Sequence, residues 1–354
     1  MTTAPRGWSG DPPREICIVM LSAIGDAVHV LPVANALKRA WPDCRITWVI
    51  QPAAHALVAD HPAIDAFVVF ERRRGLGAVA SLRAVGADLR PRRFDLLLGL
   101  QVYLKAGLIT GLARARVKLG FDIRRARDAQ WLFTTARIPA HAPQHVQDQY
   151  FEFLDFLGVD PRPVSWGLTL TRAEREAQAA FFGELAAPAC AVVVATSRAD
   201  KNWPPDRYAR LLEELVARHG LVPVLVGGPS DSERKIANRV LAEARVPVVD
   251  ALGSDIRRLL WLIDGSALLV TPDTGPLHIA RAIDKPVVSL FGRTNPKRSG
   301  PYRKFEDLVV DGYANHPGED YPPAPVARDG MQRVSVDGVL EKVALALERH
   351  VIRR

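Results

Sequence analysis

Cysteine is scarce in this chain, and so is uninterrupted hydrophobicity. Only three cysteines occur among 354 residues, Cys17, Cys44 and Cys190, odd in number and far apart. They form neither a disulfide framework nor a zinc pattern, so a reducing cytosol is the expected compartment. The nine histidines are scattered, without HxH or HExxH spacing, and no bound metal is expected. No apolar run reaches the roughly 20 residues of a membrane-spanning helix. The run Ile16–Ile24 follows Asp11, Pro12, Pro13 and Glu15 and leads into Gly25-Asp26, with no small-residue cleavage site. It therefore reads as a buried first strand and not as the core of a signal peptide. Low-complexity tracts and repeats of solenoid period are also absent.

Acidic residues are missing from one stretch in particular. Between Arg72 and Arg127 there are 14 Lys/Arg but only three acids, Asp88, Asp95 and Asp122, in a chain of net charge +8. Such a concentration can meet phosphates on nucleic acid, on a membrane leaflet or on a phosphorylated substrate. An arginine-rich solvated surface is the plainer alternative. RNA-binding motifs and interleaved aromatics are lacking there, which disfavours a basic nucleic-acid-binding protein.

What is present describes an α/β protein of two Rossmann-like, doubly wound halves. The length suits two domains, and 48% hydrophobic with 24% charged residues is ordinary for a globular chain. Residues 1–13, rich in Pro, Gly and Thr, read as a disordered leader. In the first half, strands are predicted at Ile16–Met20, Arg45–Ile50, Ala66–Phe70 and Phe94–Gly99, with helices at Ala27–Ala40, Pro52–Asp60 and His145–Leu157. In the second, strands are predicted at Ala191–Ala195, Val222–Val226, Val246–Val249, Ala267–Thr271 and Pro286–Phe291. Helices fall at Arg207–His219, Asp231–Ala244, Ile256–Ile263 and Leu277–Ile283. Alternation of this kind builds parallel sheets covered by helices. The predicted domains are 14–165 and 166–336, joined through Pro161–Leu170, with a last helix over Asp337–Val351 returning to the first half. Open sheets bind ligands at the carboxyl ends of their strands, so the loops leaving those strands are the candidate sites, facing a cleft between the halves.

Four such loops carry chemistry. In Thr271-Pro-Asp-Thr-Gly-Pro-Leu-His278, a strand runs into Asp273, Thr274 and Gly275, and Pro276 sits where a helix starts. A helix start with a glycine favours a diphosphate, and His278, one turn in, can face the same pocket. An ordinary strand-to-helix turn with a core histidine is the competing reading. The loop Ala195–Pro204 offers Thr196, Ser197 and Lys201 as a pyrophosphate clamp, Lys201 neutralising the departing charge, against the alternative of a solvated polar loop. In Val226–Glu233, Asp231 or Glu233 can bind ribose hydroxyls, or Asp231 can simply cap a helix. In Leu21–His29, Asp26 stands at a helix start. It can take a proton from an attacking hydroxyl, although the helix dipole opposes its basicity and burial favours it; helix capping alone is the alternative. The segment Gly75–Ala80 fits a GxGxxA fingerprint but follows Glu71 and three arginines, with no acidic residue ending a second strand, so hydride transfer is not expected.

Taken in order, these loops resemble those of the ADP-heptose:lipopolysaccharide heptosyltransferases, glycosyltransferase family 9, over Ile16 to Pro301. The most specific residues are Asp273–His278, followed by Lys285–Pro296 and Gly300-Pro301, with Ser22–His29 and Thr196–Pro204 in support. The resemblance implies a GT-B fold and inverting transfer of heptose from ADP-heptose to the lipopolysaccharide inner core, without a metal or other cofactor. It implies that Asp26 is the general base and that Lys201, Thr196 and Ser197 contact the donor diphosphate, cradled by Asp273, Thr274, Gly275 and His278. Asp231 falls at a ribose-binding acid, and Ser254 where relatives carry a larger residue near the adenine. Lys105 and Arg124 are the expected acceptor contacts. The basic first half then steers a polyanionic, lipid-linked acceptor and holds a cytoplasmic protein at the inner leaflet. A family 9 enzyme using another nucleotide sugar or glycan is the alternative within the same class.

Overall fold

A computed structural model describes residues 8, 11–73, 75, 77–253, 255–316, 319–320 and 329–351. The chain divides into two units, Met1–Leu168 and Thr169–Arg354, the division lying within the irregular segment Pro161–Leu170.

Unit 1 is built on strands β1 (Glu15–Val19), β2 (Arg45–Ile50), β3 (Ala66–Val69), β4 (Phe94–Gly99), β5 (Ala115–Gly120) and β6 (Ala136–Arg137). All pair in parallel, in the order β3-β2-β1-β4-β5-β6. Its helices are α1 (Ile24–Ala40), α2 (Pro52–Val58), α3 (Gly77–Leu89), α4 (Leu104–Leu112) and α5 (Val146–Leu157). A central parallel strand is covered on both faces, which is why β1 is apolar throughout Ile16–Val19 and fully buried there. Each such side chain contributes about 1.5–3 kcal/mol relative to exposure. Trp48, also fully buried, donates from Nε1 to the Met20 carbonyl at 2.9 Å, tying β2 to the end of β1. Trp8 corrects part of the expected disordered leader. Its N–H donates to Leu157 O at 3.1 Å, and its ring lies 6.4 Å from that of Trp41. Residues 1–7, 9 and 10 of that leader lie outside the described residues.

Unit 2 opens with α6 (Arg172–Gly183). It continues with β7 (Ala189–Val192), α7 (Pro205–His219), β8 (Val222–Leu225), α8 (Asp231–Glu243), β9 (Val249–Asp250), α9 (Ile256–Gly265), β10 (Leu268–Pro272), α10 (Gly275–Ala282) and β11 (Val287–Phe291). It ends with α11 (Pro296–Ser299), β12 (Val309–Asp311), α12 (Gly330–Arg333) and α13 (Val336–Arg349). The order β12-β11-β10-β7-β8-β9 is the unit 1 topology repeated. The expectation that the last helix returns to the first half is corrected. α13 packs against α7, β11 and β12, burying Val339, Leu340, Val343 and Ala346 within unit 2.

Helix α6 lies outside the predicted elements; it buries no residue, and its apolar positions are mostly alanine. Its start signal was nevertheless present: Thr171 and Glu174 form a reciprocal capping box, and Glu174 also holds Arg257 of α9 at 2.5 Å. The three cysteines are buried and free, and burial pushes the Cys17 thiol up to about 12, leaving it an inert core residue.

In each sheet the chain first builds outward on one side and then returns to the other. The loops after β1 and β4 in unit 1, and after β7 and β10 in unit 2, therefore sit at a topological switch point, where an open sheet leaves room for a ligand.

Candidate active site

The unit 1 switch point is fastened by one side chain. Gln101, after β4, donates from Nε2 to Ser22 O at 2.7 Å and accepts the Leu21 N–H on Oε1 at 3.2 Å. Asp26 follows as the third residue of α1. The residue before that helix, Ala23, has no side-chain acceptor, so only half of a capping box forms, the Ala23 N–H donating to Asp26 Oδ2 at 3.0 Å. Tyr150 of α5 donates its hydroxyl to Asp26 Oδ1 at 3.2 Å. The half-buried carboxylate thus does cap its helix, as one sequence reading held, while being aimed from two sides. One turn on, buried His29 binds Gln147 reciprocally, Nδ1 to Oε1 at 2.8 Å and Gln147 Nε2 to His29 O at 2.9 Å. That exchange locks α1 to α5 and so fixes where Asp26 and Tyr150 meet.

The expected acceptor contacts lie on neighbouring loops of the same sheet edge. Lys105, in the first turn of α4, is half-buried with Nζ 6.0 Å from the Phe70 ring. Burial, and then the charge of Arg72, hold its amine below the usual lysine range. Arg124 is exposed in the loop after β5, its N–H donating to Asp122 Oδ1 at 2.9 Å. Next to it, Arg125 is pinned by Asp122 and by Glu152, the latter at 2.6 Å, and its cation sits 5.2 Å from the Phe121 ring. The Arg127 N–H donates to Val102 O at 2.8 Å and joins this loop to the one after β4.

In unit 2, Lys201 and Asp273 close the switch point. Lys201 Nζ donates to Asp273 Oδ2 at 2.7 Å and to Asp273 O at 3.3 Å. The same Oδ2 accepts from Thr294 Oγ1 at 2.5 Å and Ser299 Oγ at 3.4 Å, and His278 Nε2 lies 4.0 Å from Oδ1. Asp273 therefore organises the cradle instead of presenting a carboxylate to an anion. Thr274 flanks the start of α10 without a side-chain cap bond, and Gly275 opens the helix. Thr196 is turned inward: its hydroxyl donates to Arg198 O at 2.7 Å and accepts the Arg198 N–H at 3.1 Å, while its N–H donates to Asn202 Oδ1 at 2.8 Å. It shapes the loop, whereas Ser197 is exposed beside it.

Asp231 is the first residue of α8, exposed, and not its cap. Ser230 takes that role by accepting the Glu233 N–H at 3.2 Å, so the capping alternative for Asp231 is corrected. Glu233 is the acid folded toward the glycine turn, since a Cβ on Gly228 would stand 2.8 Å from its Oε2. Ser254 lies outside the described residues. Arg293 and Thr294 fall within the Lys285–Pro296 motif, to which the sequence assigns no individual roles, and Ser299, Gln101 and Tyr150 have no role assigned from sequence. Arg293 donates to Asp200 at 3.0 Å, and Asp200, held below the usual carboxylate range chiefly by Arg198, ties the loops after β7 and β11 together. Among the described residues no group of three or more His, Cys, Asp or Glu stands together as a metal site requires.

A family model described as glycosyltransferase family 9 (heptosyltransferase) matches residues 82–320. The chain belongs to this family. It is 27% identical over 298 residues to the lipopolysaccharide core heptosyltransferase OpsX of Haemophilus influenzae, covering 84% of each chain. Among solved structures it is similar to a glycosyl transferase family 9 protein from Veillonella parvula, with TM-score 0.82, 21% identity, and 97% and 99% of the two chains covered. It is also similar to E. coli heptosyltransferase WaaC, solved with ADP (TM-score 0.73) and with ADP-2-deoxy-2-fluoro heptose (TM-score 0.69). Each of those is 23% identical, with 94% of this chain and 99% of that one covered. The protein is thus a glycosyltransferase, and its two Rossmann-like units are those of the GT-B fold. In this chain the Asp273–His278 turn and the segment around Thr294 form one cradle, because Asp273 gathers both.

Proposed function

We propose that the protein transfers heptose from ADP-heptose to a sugar of the lipopolysaccharide inner core, inverting the anomeric carbon. The observation that carries this is the anchoring of Lys201. Two bonds to Asp273 hold its ammonium beside the start of α10, leaving its remaining N–H for a ligand oxygen. An ammonium and a helix N-terminus set together suit a diphosphate, and stabilise its charge as it leaves. The ligands in the relatives' structures, ADP and an ADP-heptose analogue, and the relatives' lipopolysaccharide names support the donor and acceptor classes.

In this reading Asp26 accepts the proton of the acceptor hydroxyl as that oxygen forms its bond to the anomeric carbon. The bond from that carbon to the diphosphate oxygen breaks, and ADP leaves against Lys201, Ser197, Thr274, Gly275 and His278. Tyr150 orients Asp26, and Lys105 with Arg124 holds anionic groups of the acceptor. Charge neutralisation by Lys201 and backbone amides assigns no step to a metal. In this reading a lipid-linked acceptor draws the protein to the cytoplasmic face of the inner membrane. Among the described residues no helix is long and apolar enough to cross a membrane.

Thermal shift with ADP-, UDP- and GDP-sugars tests the donor, because a ligand that binds only the folded protein raises its melting temperature. ADP-heptose is expected to stabilise most. Equal or greater stabilisation by a UDP- or GDP-sugar would overturn the donor assignment.

A further inference from the structure

Unit 1 carries a second concavity that the site above leaves unused. It is a groove of about 820 Å³ between α3 and α4. Its floor is apolar: Leu82 from α3, Leu108 from α4 and Phe133 from the 3-10 turn Gln130–Phe133. Phe133 reaches the floor because α4 is glycine on that side; a Cβ on Gly107 or Gly111 would stand 2.8 Å from its ring. At the rim, Val79 and Leu112 are 50% and 45% exposed. Aliphatic side chains gathered around an open apolar groove mark an interaction surface more often than chance exposure.

The same rim carries Arg83, Arg90 and Arg114. Among the described residues none of these guanidinium groups is paired with a carboxylate. Asp88, the one acid of α3, does not line the groove. An apolar trough edged by unpaired guanidinium groups is complementary to a surface that sets phosphates above acyl chains. A nucleic acid would engage the arginines but leave the leucine and phenylalanine floor without a partner.

We propose that the α3–α4 groove docks the protein onto an anionic phospholipid bilayer. Arg83, Arg90 and Arg114 take the headgroup phosphates, and Val79 and Leu112 enter the interfacial layer. This deepens the reading of a lipid-linked acceptor by naming the face that meets the membrane, and it involves neither Asp26 nor Lys201.

Co-sedimentation of the full chain with vesicles of phosphatidylethanolamine and phosphatidylglycerol, against pure phosphatidylcholine, tests it. The unaltered protein is expected to sediment with the anionic vesicles only, and less as salt rises. Replacing Arg83, Arg90 and Arg114 together by Gln is expected to weaken partitioning about 100-fold, from the usual attraction of each basic residue to an anionic leaflet. Replacing all three by Lys keeps most of the binding, which separates lost charge from lost folding. Val79→Ser with Leu112→Ser weakens binding while leaving its salt dependence. Absence of vesicle binding at low salt, undiminished binding by the triple Gln variant, or groove-dependent binding of a random oligonucleotide in place of vesicles overturns the proposal. Vesicle binding without stabilisation by ADP would instead unseat the donor reading and leave this one standing.

Discussion

Lys201 and Asp273 lie 72 residues apart in sequence, yet Nζ of one stands 2.7 Å from Oδ2 of the other, at the point where the second sheet reverses its strand order. Both side chains are largely shielded, at 17% and 8% exposure. A shielded ion pair held by two further hydroxyls restricts the ammonium to one place, and electrostatic stabilisation of a leaving group depends on such prior positioning. Lys201→Ala is expected to lower kcat/KM about 100-fold, as losing one positioned donor does elsewhere. Asp273→Asn, which keeps the ammonium but loosens it, should cost roughly tenfold. Steady-state kinetics decides, and an unchanged Lys201→Ala enzyme would remove the residue from the reaction.

Asp26→Asn keeps an acceptor for the Ala23 N–H while removing the base. Turnover is expected to fall by about 10²–10⁴, with little change in melting temperature. Tyr150→Phe deletes a donor to the carboxylate at 3.2 Å. The carboxylate then loses one of the two groups that aim it, so kcat should fall about tenfold with KM little changed. An unchanged kcat would show that Tyr150 does not position the base.

Chelation is expected to leave turnover intact, because the diphosphate's charge is assigned to Lys201 and to the start of α10. Assays after treatment with EDTA check this directly. Activity lost to the chelator and restored by a divalent cation would overturn the metal-free reading.

His61 should give unit 1 a mild acid sensitivity. Its ring is buried, with Nε2 2.7 Å from Trp166 O and Nδ1 accepting the Ala63 N–H at 3.3 Å. Burial holds its imidazole below the ordinary histidine range. In the unfolded chain it titrates near 6.5. Below that pH the unfolded state takes up a proton that the folded state refuses, so stability falls as pH drops through about 6.5 toward the folded value. Melting curves between neutral and mildly acidic pH should show this slope, and His61→Gln should flatten it. An unchanged slope in that variant would place the sensitivity elsewhere.

Gly111 on α4 admits Phe133, whose Cδ1 would lie 2.8 Å from an added Cβ. Gly111→Ala gains helix propensity but forces the ring to shift, with an expected net loss of about 1–2 kcal/mol. Denaturant unfolding measures this, and a stabilised variant would mean the ring moves freely.

Much of the fold was legible because central parallel strands are buried on both faces and betray themselves as short apolar runs. β2 and β4 fall on the predicted residues for that reason, and most other predicted strands differ only at their ends. The strands that escaped notice carry little of this signal. β5 includes Arg116 and Lys118, β6 has two residues, and β12 has three. The site was legible in part. The helix starts at Asp26 and Gly275 announce themselves by local turn chemistry, but Tyr150, Gln101, Thr294 and Ser299 act from distant segments. No local pattern pairs Tyr150 with Asp26, which are 124 residues apart.

By itself the sequence determined the two doubly wound halves, the loops able to hold an anion and the arginine-rich first half, since periodicity, capping and charge are local properties of the chain. The tertiary structure decided which groups meet. It set Asp273 against Lys201 as its anchor, aimed Tyr150 at Asp26, and turned the hydroxyl of Thr196 inward. It also kept α13 within unit 2 and opened a groove edged by Arg83, Arg90 and Arg114. These outcomes depend on sheet order and helix packing, which bring together side chains that no spacing along the chain relates.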